Sequence, residues 1–362
     1  MSGSERSDPR SVLVLAPNMN RRFSGVTATI IAVVPHLARR IGIRAVGKGL
    51  PAHVPSITWP ELFRHYRRGP WRIWHARRNI EMLTGLVLRH LLRFRLILVF
   101  TSAAQRRHSA YTRWLYGRMA RVLATTEAAA SYLVREATVV YHGVDAETFR
   151  PPEDGAEGRA RAWKEHGGAG ERGIGIFGRV RPNKGTEEFI DALCATLPNR
   201  PEWGAVVIGE TTPEHRAFRD RLVEKVRAAG LAERVRFVGK VENFAEIPDW
   251  YRAVTLVVTP PWVEGFGLTC LEAMASGCAI VATRTGAFEE VIEEGTSGWI
   301  VPCRDGAALA RRLDAVLDDP RRLAEVGEAG RRRIEGHFTI QREAEKLASV
   351  YEELLEGTSN GA

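Results

Sequence analysis

Cysteine is scarce in this chain. There are four in 362 residues, Cys194, Cys270, Cys278 and Cys303, and no two stand in a C-x-x-C spacing. That pattern excludes a disulfide framework and a cysteine zinc site, and predicts free thiols in apolar surroundings. Long apolar runs are missing too. Leu96 to Phe100 has the length of a strand, far short of the ~20 residues that span a bilayer. The opening stretch, Ser2 to Arg10, is polar and has no apolar signal core. A cytoplasmic protein is expected, with a composition (44% hydrophobic, 26% charged) typical of globular domains. No Walker A pattern and no Asp-x-Asp occur, so no divalent-metal grip on a nucleotide is indicated. Neither a metal nor another cofactor is expected.

Lysine is nearly absent from the first half. Residues 1–150 hold 24 Lys and Arg, of which 23 are arginine, against 8 Asp and Glu. Residues 151–362 hold 28 against 35. An imbalance of this kind points to an anionic partner for the first half. A nucleic acid, an anionic membrane surface and a phosphorylated or acidic acceptor all meet that description. The arginines do not alternate with aromatics in a recognition motif, and no nucleic-acid reader signature is present, so a nucleic acid is the weakest of the three. The segment Arg64-His65-Tyr66-Arg67-Arg68-Gly69-Pro70-Trp71, beside Trp59, Leu62 and Phe63, suits peripheral contact with the cytoplasmic face of an inner membrane.

Short apolar runs alternate with helical periodicities along the whole chain. Strands are predicted at 12–16, 43–46, 71–75, 96–100, 122–125 and 139–142, with helices at 79–92, 110–119 and 127–134. After Pro151-Pro152 and the glycine-rich 167–170, the pattern repeats. Strands are predicted at 173–177, 205–209, 235–238, 256–259, 279–282 and 299–301. Helices are predicted at 186–194, 214–229, 247–251, 268–275 and 307–317, and a polar helix over 340–356 closes the chain. Such alternation defines an α/β protein of two doubly wound domains. The expected divisions are 1–165, 166–338 and a closing helix in 339–362. Ligands of such sheets bind at the carboxyl ends of strands, and a cleft between the two domains is expected.

Three strand-end segments carry chemistry. Gly178-Arg179-Val180-Arg181-Pro182-Asn183-Lys184-Gly185 follows a strand and leads into a helix. Arg179 suits a bidentate grip on phosphate and Lys184 adds a point charge, the donors a departing diphosphate needs. Glu264-Gly265-Phe266-Gly267-Leu268 leads into a helix that carries Glu272. Glu264 is placed to hold hydroxyls of a sugar and Glu272 those of a ribose, with backbone N–H groups of 266–268 between them. Ser24-Gly25-Val26-Thr27, after the first strand, gives a third phosphate-approach loop through Gly25.

Together these motifs, with Tyr141-His142-Gly143-Val144-Asp145 and Ser297-Gly298-Trp299-Ile300-Val301, resemble the retaining GT-B glycosyltransferases of the group 1 family. The resemblance covers essentially the whole chain. It implies a nucleotide-sugar donor held in the second domain, with Arg179, Lys184 and Glu264 at the reacting centre. It also implies donor contacts from Gly25, Gly178, Val241, Gly265, Phe266, Gly267, Leu268 and Glu272, and a final helix that crosses back to the first domain. Segments 72–83, 99–115 and 21–30 are similar to alphaproteobacterial lipopolysaccharide-core mannosyltransferases, which implies transfer from GDP-mannose to a Kdo residue. A UDP-sugar donor acting on another envelope glycan is the competing implication. Many relatives carry a histidine after the strand at 96–100, where this chain has Phe100-Thr101-Ser102. Thr101, Ser102 and His108 are the candidates for its role. His75 reads as a structural histidine at a strand end. Arg77, Arg78, Arg106 and Arg107 are the candidates for an anionic, lipid-linked acceptor.

Overall fold

The structure, a computed structural model, describes residues 8–20 and 25–359, with the side chain of Ser359 left aside. It divides into two compact units, 1–143 with 340–362, and 144–339. The boundary therefore falls at Gly143 and not at 165. The helix Gly155–Glu165 explains the difference, because its Trp163 is buried beneath β8 of the second unit and its Arg159 is bonded to the carbonyls of Tyr251, Val254 and Ser276.

The first unit is built on seven parallel strands: β1 (Val14–Asn18), β2 (Ile43–Gly47), β3 (Ser56–Ile57), β4 (Arg72–Ala76), β5 (Leu96–Ser102), β6 (Arg121–Ala124) and β7 (Thr138–Val139). Their order is β3-β2-β1-β4-β5-β6-β7. The second unit has six parallel strands: β8 (Arg172–Phe177), β9 (Trp203–Ile208), β10 (Val235–Gly239), β11 (Leu256–Thr259), β12 (Ala279–Thr283) and β13 (Trp299–Val301), in the order β10-β9-β8-β11-β12-β13. In each sheet the order reverses once, between β1 and β4 and between β8 and β11. Sheets of this topology bind ligands at such points. The central strands are buried on both faces, which is why they read as unbroken apolar runs and not as alternations.

Several elements depart from the expected ones: β3, the helix Trp59–His65 and the helix Phe288–Val291 have no counterpart among them. The helix expected over 79–92 is α-helical only over Asn79–Leu86 and continues as a π-helical turn, Val87–Leu91. A long helix over Pro320–His337 was not predicted. Gly327 and Gly330 weaken its helical signal, yet they allow that helix to lie against the Gly277 carbonyl and Met274.

The closing helix, Ile340–Ser359, belongs to the first unit. Ile340, Ala344, Leu347, Ala348 and Tyr351 pack into the core that covers β1, β4 and the helix Gly25–Leu37. Its Glu343 is buried and accepts from the Gly143 backbone N–H at 2.8 Å, while its other oxygen lies 2.8 Å from His142 Nδ1. Replacing Glu343 with Ala leaves that backbone donor unmatched in the interior. We expect a loss of roughly 2–3 kcal/mol, read as a lower urea midpoint. An unchanged midpoint would show that the carboxylate does not hold the end of the first unit.

Candidate active site

The two loops at the β8/β11 switch point are fastened together. Gly185 has φ +71°, and a Cβ there would sit 1.9 Å from the Pro260 carbonyl oxygen, so only glycine brings the loops this close. The Trp262 backbone N–H donates to the Asn183 carbonyl at 3.1 Å. Across the same junction the Lys184 ammonium pairs with the Glu264 carboxylate. The second Glu264 oxygen accepts from the Gly265 N–H at 3.0 Å. Gly267 opens the following helix at φ +98°, where a Cβ would strike the Phe288 ring at 2.2 Å. That constraint fixes where Leu268 and its helix begin.

Around this junction lies a small cavity, lined among others by Gly178, Arg179, Lys184, Thr259, Glu264 and Thr269. Arg179 is exposed at its mouth. Arg181 lies beside it, half-buried, and its Nε is enclosed without a partner. Burial first, and the neighbouring Arg179 second, lower its basicity, while Glu264 opposes them. The Thr259 hydroxyl is likewise buried without a partner. One carboxylate thus faces three cationic side chains, an arrangement suited to an anionic group.

Glu272 stands in the second turn of the helix Leu268–Ala275, half-buried. Its Oε2 accepts from the Tyr251 hydroxyl at 2.8 Å. The Tyr251 ring is stacked on Phe177, with centroids 3.9 Å apart and planes 16° apart. Burial raises the Glu272 carboxyl to about 6, against the opposing effect of the Tyr251 hydrogen bond. The carboxylate is thereby oriented by an aromatic stack seated on the end of β8. Phe266 is buried and its carbonyl accepts from the Ala287 N–H at 3.0 Å, so its role is to anchor the turn. Val241 lies past the end of β10 and does not line the cavity. A separate open hollow beside it is bordered by Gly209, Glu210, Arg216, Gly239 and Lys240.

In the first unit the β1/β4 switch point is organised by Glu81, a fully buried carboxylate. It accepts from the Arg77 backbone N–H at 2.8 Å and from Arg78 Nη1 at 2.7 Å. Arg78 is therefore committed in part to structure, whereas Arg77 has one guanidinium nitrogen buried without a partner. Arg106 and Arg107 are exposed on the loop after β5. Ser102 is 2% exposed and lies 3.1 Å from His108 Nε2, so that pair is internal, while Thr101 stays half-exposed. Gly25 begins its helix in open space: a Cβ added there would meet no described atom within 4 Å, so the position makes no steric demand for glycine. Arg21, Arg22 and Ser24 lie outside the described residues. The expected membrane segment is divided: Leu62 and Tyr66 face the core, and Phe63 is exposed beside Arg64, Arg67 and Arg68. Tyr111 and Trp114 are also exposed and stack on each other, with Arg118 4.0 Å above the Trp114 ring. All four cysteines are free. Among the described residues no helix is long and apolar enough to cross a membrane.

Arg181, Tyr251 and Thr259 were not singled out by sequence. Arg181 lay within the basic loop and was legible there; Tyr251 reaches Glu272 only through the fold.

Fold and sequence together place the protein among the glycosyltransferases. The Glycosyl transferases group 1 family matches residues 171–319. Over 96% of its length the chain is 45% identical to the lipopolysaccharide core biosynthesis mannosyltransferase LpsB of Rhizobium meliloti (strain 1021), covering 99% of that protein. It is 46% identical to LpcC of Rhizobium leguminosarum bv. viciae, with 96% of this chain and 98% of that protein covered. The crystal structure of the C-terminal domain of a group 1 glycosyl transferase, LpcC from Francisella tularensis, is 41% identical over 54% of this chain and 99% of that one, with a TM-score of 0.52. HepE of Anabaena, solved with UDP and glucose, shares the fold at 19% identity, covering 94% of this chain and all of that one with a TM-score of 0.80. The chain belongs to the group 1 glycosyltransferases, and its two Rossmann-like units have the GT-B fold.

The Glu272 carboxyl binds its proton more tightly in the folded protein than its ordinary value of 4.5 allows. This group therefore favours folding most below pH 4.5, and the advantage is lost as pH rises through about 6. Glu272→Gln carries no such charge. Between about pH 4 and 7 the variant is expected to gain roughly 2 kcal/mol over the wild type, measured as the difference in urea midpoints. A difference that stays constant over this range would mean that Glu272 titrates as an ordinary carboxyl.

Proposed function

We infer that this enzyme transfers mannose from GDP-mannose to a Kdo residue of the lipopolysaccharide inner core, with retention at the anomeric carbon. The observation that carries the reading is the similarity to two lipopolysaccharide core mannosyltransferases along nearly the full chain, the first unit included. The likeness runs through the unit that carries Arg77, Arg106 and Arg107, so it bears on the proposed acceptor side as well as the donor side.

The donor diphosphate would lie against Arg179, Arg181 and Lys184, with Lys184 released from or shared with Glu264. Glu264 then holds sugar hydroxyls and Glu272 those of the ribose. As the bond from the anomeric carbon to the diphosphate oxygen breaks, charge grows on that oxygen beside the three cations. The acceptor hydroxyl approaches on the same face, passes its proton to the departing diphosphate and forms the new glycosidic bond. No metal takes part in this account. Arg77, Arg106 and Arg107 are the acceptor side, facing a carboxylate or phosphate.

The acceptor is a lipid, and the first unit suits contact with an anionic leaflet. Residues 59–121 carry 14 arginines and only two glutamates, one of them the buried Glu81. Phe63, Tyr111 and Trp114 stand exposed among them. Arginine around exposed aromatics is the pattern of interfacial binding. No nucleic acid is part of this reading.

The direct test is incubation with GDP-[14C]mannose and Kdo-lipid A, with and without EDTA. Labelled product is expected in both. Lys184→Ala is expected to cut turnover by roughly a hundredfold, the scale of losing one charged group at a developing anion. Transfer from a UDP-sugar with none from GDP-mannose would overturn the donor assignment, and activity restored only by manganese would overturn the metal-free account. Sedimentation with liposomes tests the membrane contact: binding is expected with phosphatidylglycerol and lost in high salt. Equal binding to neutral vesicles would contradict an electrostatic contact.

A further inference from the structure

Three side chains from separate elements of the first unit form a chain of hydrogen bonds, and of the three only Thr101 has been considered above for a ligand. His75, on β4, is 1% exposed. Its Nδ1 lies 2.5 Å from the hydroxyl of Tyr351 on the closing helix, and its Nε2 lies 2.6 Å from the Thr101 hydroxyl on β5. The Tyr351 ring meets the imidazole edge-on, with centroids 5.7 Å apart.

The direction of the protons follows from burial. Enclosure first, then Arg77 and His142, push the imidazole well below its ordinary basicity, so the ring is neutral and carries one N–H. Burial moves the Tyr351 phenol upward, so it keeps its proton. That hydroxyl is fully buried, and His75 is its one hydrogen-bond partner among the described residues. Were the ring proton on Nδ1, the phenol would be a buried donor with no acceptor, at a cost of about 1–3 kcal/mol. The phenol therefore donates to Nδ1. Nε2 carries the ring proton and donates to Thr101 Oγ1. The Thr101 proton is left directed away from His75, with no acceptor among the described residues.

Thr101 is half-exposed near the carboxyl end of β5, the end of the sheet at which ligands of this topology bind. Ser102 and His108 cannot play the same part, since Ser102 is buried and its hydroxyl is engaged with His108. A lone neutral hydroxyl matches a neutral oxygen better than an anion, for which arginines are at hand. Resting on the glycosyl-transfer reading, we propose that Thr101 donates a hydrogen bond to a hydroxyl oxygen of a bound sugar, its proton aimed by a Tyr351–His75 relay. Thr101 touches the substrate, and His75 and Tyr351 are positioning residues.

The relay is tested first without substrate. In the full-length protein labelled with 15N-histidine, His75 is expected to show an unprotonated Nδ1 and a protonated Nε2. The reverse tautomer would overturn the relay. The second arm is kinetic. Thr101→Val is expected to lower kcat roughly tenfold, the worth of one hydrogen bond, in protein that still folds cooperatively but with a lowered thermal midpoint, because the buried Nε2–H loses its acceptor. Thr101→Ser, which restores the donor, should return to within about threefold of wild type. Tyr351→Phe frees Nδ1 to take the proton, so it should shift the imidazole signals and lower kcat. The double variant Tyr351→Phe/Thr101→Val should be no slower than Thr101→Val alone. Wild-type kcat in Thr101→Val would refute the substrate contact. Failure of the wild-type enzyme to transfer from any nucleotide sugar would instead refute the functional reading on which the proposal rests, and the tautomer measurement would still decide the relay.

Discussion

The donor-side site depends on one ion pair between two loops. Lys184 and Glu264 come from opposite sides of the β8/β11 switch point, and each side chain is about three-quarters buried, with 27% and 22% exposure. A pair so placed is screened less than a surface bridge and costs more to leave unpaired. The loops reach each other only because Gly185 tolerates the Pro260 carbonyl, while Gly267, which tolerates the Phe288 ring, sets where the helix after the second loop begins. The pair neutralises both charges and ties the two loops together. In the proposed reaction a diphosphate would offer Lys184 a second anion, and sugar hydroxyls would offer Glu264 a second set of donors. Exchange of one set of partners for another costs less than exposing either charge, which is what preorganisation requires of a site for a leaving anion. Arg179 and Arg181 add the remaining positive charge, and Arg181 is already partly desolvated.

The site's local chemistry was legible because it is local. The spacing from Glu264 to Glu272, with two glycines between, specifies a turn and a helix start without reference to the rest of the chain. The Arg179–Lys184 loop is equally self-contained. What the sequence could not reveal was which of these loops meet. Strand order decides that, and β8 neighbours β11 across a gap of some eighty residues. Tyr251 was invisible for the same reason: its hydroxyl serves Glu272 from a helix 21 residues earlier, and nothing in its immediate neighbours marks it. The division of the chain was misplaced because Pro151-Pro152 and the glycines of 167–170 look like a linker. The helix between them is in fact anchored by Trp163 and Arg159 to the second sheet.

The same distinction separates the arginines of the first unit. Composition shows only that they are many. The fold sorts them into Arg72, buried and bonded to the carbonyls of Val12 and Tyr66; Arg78, clasped by Glu81; Arg77, partly enclosed; and Arg106 and Arg107, exposed. A count of charge thus overstates what is available to a ligand. Guanidinium groups lend themselves to this division because a planar fork of five donors can be spent on carbonyls at one site and on an anion at another. Lysine, a single strongly hydrated point charge, would be costly to bury as Arg72 is buried. The near-absence of lysine in this half is consistent with a unit that uses its cations as much for internal bonding as for a partner.

Glu81 and Glu272 occupy corresponding places in the two units, and their partners explain why only one is free to take a ligand. Each stands on a helix that follows a switch-point loop. Glu81 is fully buried, and its two oxygens are already engaged by a backbone N–H and a guanidinium. Glu272 is more open to solvent and has a phenol as its protein donor, which stabilises a carboxylate far less than a cation does. A carboxylate satisfied by an arginine is a structural fixture. One supported by a neutral hydroxyl has capacity left for two more hydroxyls, and the ribose of a nucleotide supplies a pair. The difference in partner, more than the difference in depth, therefore leaves Glu272 the less satisfied of the two carboxylates.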